Sequence, residues 1–189
     1  MTVRVENLRK SYGGVPVLKG LSFTADRGVT CIMAPSGAGK TTLLRILLGL
    51  EQPDSGSVSL PVPCRVAAVF QEDRLLEHLD AMDNLRFALG AALDEAAAAL
   101  LLTELGLAET VSKRVREYSG GMKRRLALAR ALLAPAEVLV LDEPFTGLDE
   151  ENRERAVACI RRAAEDKIVL LVTHEEADAA ALGAEILRL

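Results

Sequence analysis

The chain has 189 residues, of which half are hydrophobic, and a formal net charge of −4. These values predict a folded domain with a substantial core, and they exclude a disordered chain, while no apolar run reaches the roughly 18–20 residues that a membrane span needs. The mildly acidic balance argues against a nucleic-acid-binding surface, and three widely spaced cysteines without a C-x-x-C pair predict free buried thiols in a reducing, cytoplasmic compartment.

The chain begins with two predicted antiparallel strands. Apolar and polar residues alternate near the N-terminus, and residues 15–23 form a second strand in which Pro16 favours an edge position. Residues 11–14 form the turn between them, and residues 1–28 would begin a small β lobe. Tyr12 in that turn can stack on a nucleotide base or can pack on its own lobe.

Residues 29–48 predict a buried strand, a tight loop and a helix, which is the arrangement that holds a nucleotide phosphate chain. Gly37 and Gly39 allow successive backbone N–H groups to point inward, and the helix N-terminus adds partial positive charge. Lys40 can reach the β and γ phosphates, and the Thr41 hydroxyl can bind Mg²⁺. By itself the stretch is also compatible with an ordinary turn that carries a surface lysine.

A turn at residues 53–56, a short strand at 57–60 and a buried strand at 65–70 are predicted next. The last of these strands ends at Gln71, where open α/β sheets bind their ligands. The Gln71 amide can touch Mg²⁺ or an attacking water. Taken alone, it is more simply interpreted as a loop glutamine.

From residue 72 to residue 118 the pattern becomes helical and rich in alanine, which predicts an inserted helical lobe. Helices are expected at 83–91 and 94–105, with Gly106 after the second. Before the first helix, four apolar residues are spaced along one side of the segment. They are Leu75, Leu76, Leu79 and Met82.

Ser119-Gly120-Gly121 begins a long predicted helix that runs to residue 134. Ser119 is a good N-cap residue, and the two glycines leave the first N–H groups uncovered, which favours phosphate binding. The alternative, preferred without further context, is a solvated basic face. Its members would be Lys123, Arg124, Arg125 and Arg130.

An apolar strand at 138–141 ends in two carboxylates. Asp142 is expected beside the phosphate loop as a Mg²⁺ partner, while Glu143, one residue on, should point in another direction and polarise a water as general base. A strand followed by an acidic turn is the plainer interpretation. A helix at 151–165 follows.

A second buried strand at 168–172 ends at Thr173 and His174, and a helix at 175–182 and a strand at 186–189 close the chain. Because strands and helices alternate, we expect a parallel α/β sheet. His174 would lie just past the carboxyl end of its strand.

The order of these motifs resembles the nucleotide-binding domain of ATP-binding-cassette (ABC) proteins across essentially the whole chain. The feature most specific to this family is the Ser-Gly-Gly stretch shortly before a strand that ends in two carboxylates. The resemblance implies an α/β fold with a P-loop NTPase core and mostly parallel sheet, a small antiparallel β lobe and an inserted helical lobe at about 72–118. Residues 1–189 would then form a single ABC ATPase domain.

The resemblance also implies a role for each motif residue. The contacts to ATP would come from Tyr12 at the adenine and from Pro35, Ser36, Gly37, Ala38, Gly39, Lys40, Thr41 and Thr42 at the phosphates. The Mg²⁺ shell would include Thr41, Gln71 and Asp142. Catalysis would depend on Glu143 as general base and on His174, Gln71 and Lys40. The ATP of a second subunit would meet Ser119, Gly120 and Gly121, with Asp149 at the dimer seam.

By this resemblance the chain is expected to be a Mg²⁺-dependent ATPase that drives solute transport. The working unit would be a head-to-tail dimer on a transmembrane permease, peripheral on the inner face of the cell membrane, with a solute-binding protein as a further possible partner. The Ser-Gly-Gly-Met wording and residues 69–76 are similar to the nitrate, sulfonate and taurine importer branch. The four apolar residues after Gln71 would contact a cytoplasmic helix of the permease.

Three positions depart from the family pattern. Ala34 replaces the first glycine of the phosphate loop, which requires a negative φ there. Met122 replaces the usual glutamine and Tyr118 the usual leucine. Family members usually continue beyond the last strand, so we expect any regulatory tail to be missing from these residues.

Two other classes of protein are alternatives to the transporter ATPase. Soluble ABC ATPases that act in DNA repair or on ribosomes usually carry two cassettes or long insertions, which this sequence lacks. A P-loop small-molecule kinase would need an acceptor lid and would have no use for Ser119-Gly120-Gly121.

Overall fold

A computed structural model describes residues 1–35 and 37–189, so the expectation for Ser36 lies outside the described residues. The strands are β1 (Val3–Tyr12), β2 (Val15–Ala25), β3 (Gly28–Met33), β4 (Ser55–Ser59), β5 (Val66–Val69), β6 (Val138–Asp142), β7 (Ile168–Val172) and β8 (Glu185–Arg188). The α-helices are α1 (Lys40–Leu47), α2 (Ala81–Leu89), α3 (Glu95–Glu104), α4 (Gly120–Leu133), α5 (Glu150–Ala164) and α6 (Glu176–Leu182).

The main sheet is parallel and has the strand order β5-β6-β7-β3-β8, which confirms the expected α/β architecture. The central strands β6 and β7 pair with Leu139 beside Val169 and Asp142 beside Val172. Because all five strands point the same way, their carboxyl ends meet at one edge. That edge carries the loops after β3, β5, β6 and β7, which contain the predicted site residues.

The smaller sheet is antiparallel, with the order β2-β1-β4. Strand β2 is at its edge, as Pro16 predicted. The predicted turn at 11–14 was too long, because Ser11 and Tyr12 still pair with Pro16 and Val15. Strand β4 begins at Ser55 rather than at residue 57, since it pairs with β1, a long-range contact that the local sequence does not reveal.

Helices α2 and α3 form the predicted lobe between β5 and α4, joined by short 3₁₀ turns. The first helix begins at Ala81 because the Asp80 carboxylate accepts a hydrogen bond from the backbone N–H of Asp83 at 2.8 Å. The Asp94 side chain caps α3 in the same way. Gly106 follows α3 with φ +67°, the left-handed conformation that makes glycine the favoured residue there.

The side chains of the main sheet alternate between two buried clusters. Leu139 and Leu141 pack against the helical lobe and α5, whereas Val138 and Val140 pack against α1 and the β lobe. Cys31 and Cys159 are buried as expected, but Cys64 is only partly buried. In the described part of the chain, no helix combines the length and the apolar character needed to cross a membrane.

Candidate active site

The carboxyl edge of the main sheet opens into a cavity of about 410 Å³. It lies between the phosphate loop, the start of α1 and the ends of β5 and β6. Its lining residues are Val17, Gly37, Gly39, Lys40, Thr41, Thr42, Gln71, Asp142 and Glu143. The fold therefore brings together residues that are more than a hundred positions apart in the sequence.

The phosphate loop depends on glycine at Gly39. Its φ is +94°, and a Cβ there would lie 2.9 Å from the side chains of both Val17 and Leu18. Ala34, in contrast, has no positive φ, which meets the condition for replacing the usual glycine. The loop leads directly into α1, whose first turn contains no acidic residue. Its free N–H groups and partial positive charge thus face the cavity.

Lys40 closes the phosphate loop in this structure. Its ammonium donates hydrogen bonds to the carbonyl oxygens of Ala34 at 2.7 Å and Pro35 at 3.3 Å. An anion that enters the cavity would meet this ammonium together with the N–H groups of the loop. The positively charged side of the cavity is therefore suited to a phosphate chain.

Asp142 and Glu143 also line the cavity. Burial raises the pKa of Asp142, and the charge of Glu143 raises it further, while Arg124 and Lys40 act in the opposite direction. Glu143 has φ +49°, and its N–H donates to the Val172 carbonyl at 2.9 Å. Asp142 and Glu143 both line this one cavity, although they are adjacent in the sequence.

His174 contacts Glu143 from outside the cavity wall. The Nδ1 atom of His174 lies 3.0 Å from Oε1 of Glu143, although the imidazole side chain is 65% exposed. That hydrogen bond, followed by the charge of Glu143, raises the pKa of His174. The preceding Thr173 is fixed by Asp178, a buried carboxylate that accepts its hydroxyl at 2.7 Å and also binds Arg153.

The donor set fits Mg²⁺ and a nucleotide. The Thr41 hydroxyl, the Gln71 carboxamide and the Asp142 carboxylate are hard oxygen ligands that share one cavity. They lie in the same cavity as Lys40 and the start of α1, which supply positive charge and free N–H groups for an anion. These residues can therefore hold a metal ion against bound phosphate.

Several of the predicted contact residues do not line this cavity. Pro35 and Ala38 line a neighbouring pocket beside Leu18, and the predicted contacts at the starts of α4 and α5 lie elsewhere. Ser119 caps α4 by accepting the N–H of Met122 at 3.3 Å, and Gly120 and Gly121 form the first residues of that helix. A Cβ at Gly121 would lie 2.8 Å from the Gly147 carbonyl, so this turn packs closely on the next loop. Asp149 caps α5 through the N–H of Asn152 at 2.9 Å.

Tyr12 also lies apart from the residues that line the cavity. Its ring is 45% exposed, its hydroxyl donates to the Glu51 carboxylate, and the Lys10 ammonium lies 5.6 Å from the ring centre. One face of the ring is thus covered by a cation. The structure holds Tyr12 as an exposed aromatic rather than as a buried part of the β-lobe core.

The solvated basic face proposed for α4 is wrong for two of its arginines. Arg124 is 4% exposed and Arg125 is 6% exposed. Arg125 donates to the Leu105 carbonyl and to the Asn152 side chain, both at 2.6 Å, and so joins the helical lobe to α5. The available signal was the unbroken apolar run at 126–129, which leaves this part of the helix no solvent-facing side.

Comparison with known proteins places this site in context. A family model described as "ABC transporter" matches residues 18–146. The chain is 40% identical to an aliphatic sulfonates import ATP-binding protein of Nocardia farcinica, over 98% of this chain and 78% of that protein. It is 42% identical to a Nod factor export ATP-binding protein of Burkholderia orbicola, over 91% of this chain but only 63% of that protein.

A solved structure gives the same picture for the fold. A chain titled "Structure of ATP binding subunit of ABC transporter" superposes with a TM-score of 0.89 at 26% identity. The match covers 100% of this chain and 86% of the other. The match to the sulfonates import protein and the match to this solved structure both span the phosphate loop, the helical lobe and the two central strands.

Proposed function

This chain belongs to the ABC transporter family as an ATPase subunit, and on that premise we propose that it couples Mg²⁺-dependent ATP hydrolysis to solute import through a separate membrane permease. Residues 1–189 would act as one domain, with a helical lobe at about 72–118. The two buried clusters support this, because both contain side chains from the main sheet.

The observation that carries the proposal is the single cavity in which Lys40 faces Asp142 and Glu143. Lys40 and the loop N–H groups would bind the β and γ phosphates. Thr41, Gln71 and Asp142 would hold Mg²⁺, which when bound neutralises charge on those phosphates. Glu143 would accept the proton of the attacking water at its carboxylate, and His174 would orient that carboxylate and contact the γ-phosphate.

The geometry supports a two-subunit site. Ser119, Gly120 and Gly121 carry the uncovered start of α4, yet they are separate from the cavity that contains Lys40. In a head-to-tail dimer they would meet the γ-phosphate held by the other subunit, with Asp149 beside them at the seam. Tyr12, exposed at the edge of the β lobe, would stack on the adenine.

The segment after Gln71 supports a permease dock, with one change to the expected residues. Leu75 and Met82 pack against the large buried cluster. Leu79 is half-buried, as Leu75 is, but it does not pack against that cluster, and the nearby Leu76 backbone is held by the Asn84 side chain at 2.8 Å and 3.0 Å. The dock would therefore centre on Leu79 rather than on Leu75.

The direction of transport is a more specific part of the proposal, because the named relatives include an importer and an exporter. The Ser-Gly-Gly-Met sequence and residues 69–76 favour the importer branch. A solute-binding protein would then be a further partner, and the chain would lie on the inner face of the membrane. The competing function is a soluble ABC ATPase that acts on nucleic acid or ribosomes.

The test is ATP hydrolysis by the purified chain with and without Mg²⁺, together with isolation of the tagged chain from detergent-solubilised membranes. We expect Mg²⁺-dependent hydrolysis, its loss in Lys40→Ala, and a stoichiometric membrane-spanning partner. Hydrolysis that is stimulated by DNA or ribosomes, without a membrane partner, would favour the soluble alternative. A chain that binds no ATP would contradict the whole proposal.

A further inference from the structure

Arg124 connects α4 to the Gln71 segment through three hydrogen bonds. Its Nη1 donates to the Phe70 carbonyl at 2.6 Å and to the Asp73 carboxylate at 3.1 Å, and its Nη2 donates to the Gln71 carbonyl at 3.2 Å. The guanidinium is buried, with 4% of the residue exposed. All three acceptors belong to one short stretch that follows β5.

A second arginine of the same helix holds the next residues of that stretch. Arg130 donates to the Asp73 carbonyl at 2.8 Å and to the Arg74 carbonyl at 2.7 Å. Residues 70–80 contain no strand or helix. Side chains of α4 therefore supply the hydrogen-bond donors for these backbone carbonyl groups, which a neighbouring strand would supply elsewhere in the sheet.

The two arginines differ in what they hold. Arg124 binds the main chain of Gln71 itself, whereas Arg130 binds residues that lie after it. The Gln71 side chain lines the cavity beside Thr41 and Asp142. A shift of the Gln71 backbone would thus move its carboxamide relative to those two oxygen ligands.

We propose that Arg124 is a positioning residue for Gln71, which fixes the Gln71 carboxamide at the Mg²⁺ side of the cavity and makes it move together with α4. The inference rests on the proposed function, since it assigns Gln71 to the metal. Ser119 lies at the start of α4. A contact made at Ser119 would therefore move this rigid helix and, through Arg124, the Gln71 backbone. A planar guanidinium can hold several acceptors in fixed directions, which a lysine ammonium on a flexible chain cannot.

The test compares Arg124→Gln with Arg130→Gln as a matched control from the same helix. For Arg124→Gln we expect turnover at saturating ATP to fall roughly 10–100-fold, the usual cost of a small misplacement at a reacting centre. The Mg²⁺ concentration for half-maximal activity should rise, while affinity for a fluorescent ATP analogue without Mg²⁺ should stay unchanged. Arg130→Gln should lower Tm but leave the Mg²⁺ requirement unchanged.

A double-mutant cycle decides whether Arg124 acts through Gln71. In a Gln71→Ala background, Arg124→Gln should cause little further loss of turnover. Independently of activity, backbone amide exchange at Gln71 and Glu72 should speed up in Arg124→Gln. If that variant fails to fold, Arg124→Lys keeps the charge, removes the planar fork and should give the same pattern.

Additive losses in the cycle, or an unchanged Mg²⁺ requirement and unchanged amide exchange in the folded Arg124 variant, would overturn this inference. An inactive wild-type chain that binds no nucleotide would instead overturn the proposed function. The two failures are distinguishable. If the wild type is active and Gln71→Ala lowers its turnover, the proposed function stands, and the double-mutant cycle then tests the role of Arg124 alone.

Discussion

Glu143 and His174 extend from neighbouring parallel strands, and their side chains meet with 3.0 Å between Oε1 and Nδ1. Glu143 also lines the cavity that contains Lys40. Its backbone has a positive φ, an uncommon conformation for a residue with a side chain. The contact with the imidazole holds this carboxylate in place.

Replacing Glu143 with Gln keeps the shape of the side chain and removes the base. We expect turnover to fall by roughly 10²–10⁴, the range typical of a general base, while ATP still binds. Phosphate release and equilibrium binding of a fluorescent ATP analogue measure the two quantities. Glu175→Gln is the matched control, because Glu175 lies 3.2 Å from the other imidazole nitrogen but is exposed. Near wild-type turnover in Glu143→Gln would remove Glu143 from the role of base.

The stability of the chain should depend on His174 in a pH-dependent manner. Because Glu143 raises the pKa of His174 above its ordinary value of 6.5, the folded chain binds this proton more tightly than the unfolded chain. The stabilisation is fully present below pH 6.5 and is lost as the pH rises through the raised pKa. We therefore expect the Tm advantage of wild type over His174→Gln to be largest below pH 6.5 and to shrink as the pH rises above that value.

The exposure of His174 limits the size of this effect, since solvent screens the ion pair. Glu143→Gln should strongly reduce the pH dependence of the difference, because Glu143 is the largest cause of the raised pKa, while the weaker effect of Glu175 remains. A Tm difference that stays constant, or that grows with pH, would contradict the assignment.

ATP should induce dimers when it binds but is not hydrolysed. Ser119 and Gly121 lie outside the cavity that contains Lys40, so their N–H groups can reach a phosphate only across an interface. Sedimentation of Glu143→Gln should show monomers without nucleotide and dimers with Mg²⁺-ATP. Ser119→Arg should keep ATP binding and prevent the dimer. A Glu143→Gln chain that stays monomeric at high concentration and also on its permease would contradict the two-subunit site.

Charged substitutions should separate the permease dock from the core. Leu79→Glu should fold with little change in Tm, bind ATP and assemble poorly with the permease, because Leu79 packs against neither buried cluster. Leu75→Glu should lower Tm, since Leu75 packs against the large buried cluster. Thermal melting and co-purification with the permease measure both effects. Unfolding of Leu79→Glu would assign this residue to the core instead.

Asp178 should stabilise the loop that carries His174. Its buried carboxylate accepts from Thr173 at 2.7 Å and from Arg153 at 2.7 Å. Asp178→Ala should reduce the free energy of unfolding by about 1.5–3 kcal/mol, the usual value for a hydrogen bond to a charged group. Glu150→Ala is the control, since Glu150 also pairs with Arg153 but is 76% exposed and should cost about 0–1 kcal/mol. Equal losses in urea unfolding would contradict the special role of Asp178.

Local sequence patterns alone determined most of the main sheet and its edge. Residues 138–141 and 168–172 are continuous apolar runs, and such runs are buried on both faces in a parallel sheet. The position of Asp142 and His174 after these runs predicts that both lie at the carboxyl edge. The phosphate loop is likewise local, because its glycines, Lys40 and the following helix are adjacent in sequence.

Tertiary structure alone decided which polar residues are buried and which distant groups they bind. The backbone of Glu143 has a positive φ and donates its N–H to the carbonyl of Val172, a residue of the neighbouring strand, and the local sequence pattern reveals neither. The burial of Arg124 depends on the carbonyl groups of Phe70 and Gln71 and on the carboxylate of Asp73, more than fifty positions away. A charged side chain is buried only where distant acceptors compensate its lost hydration, and sequence patterns do not contain that distance information.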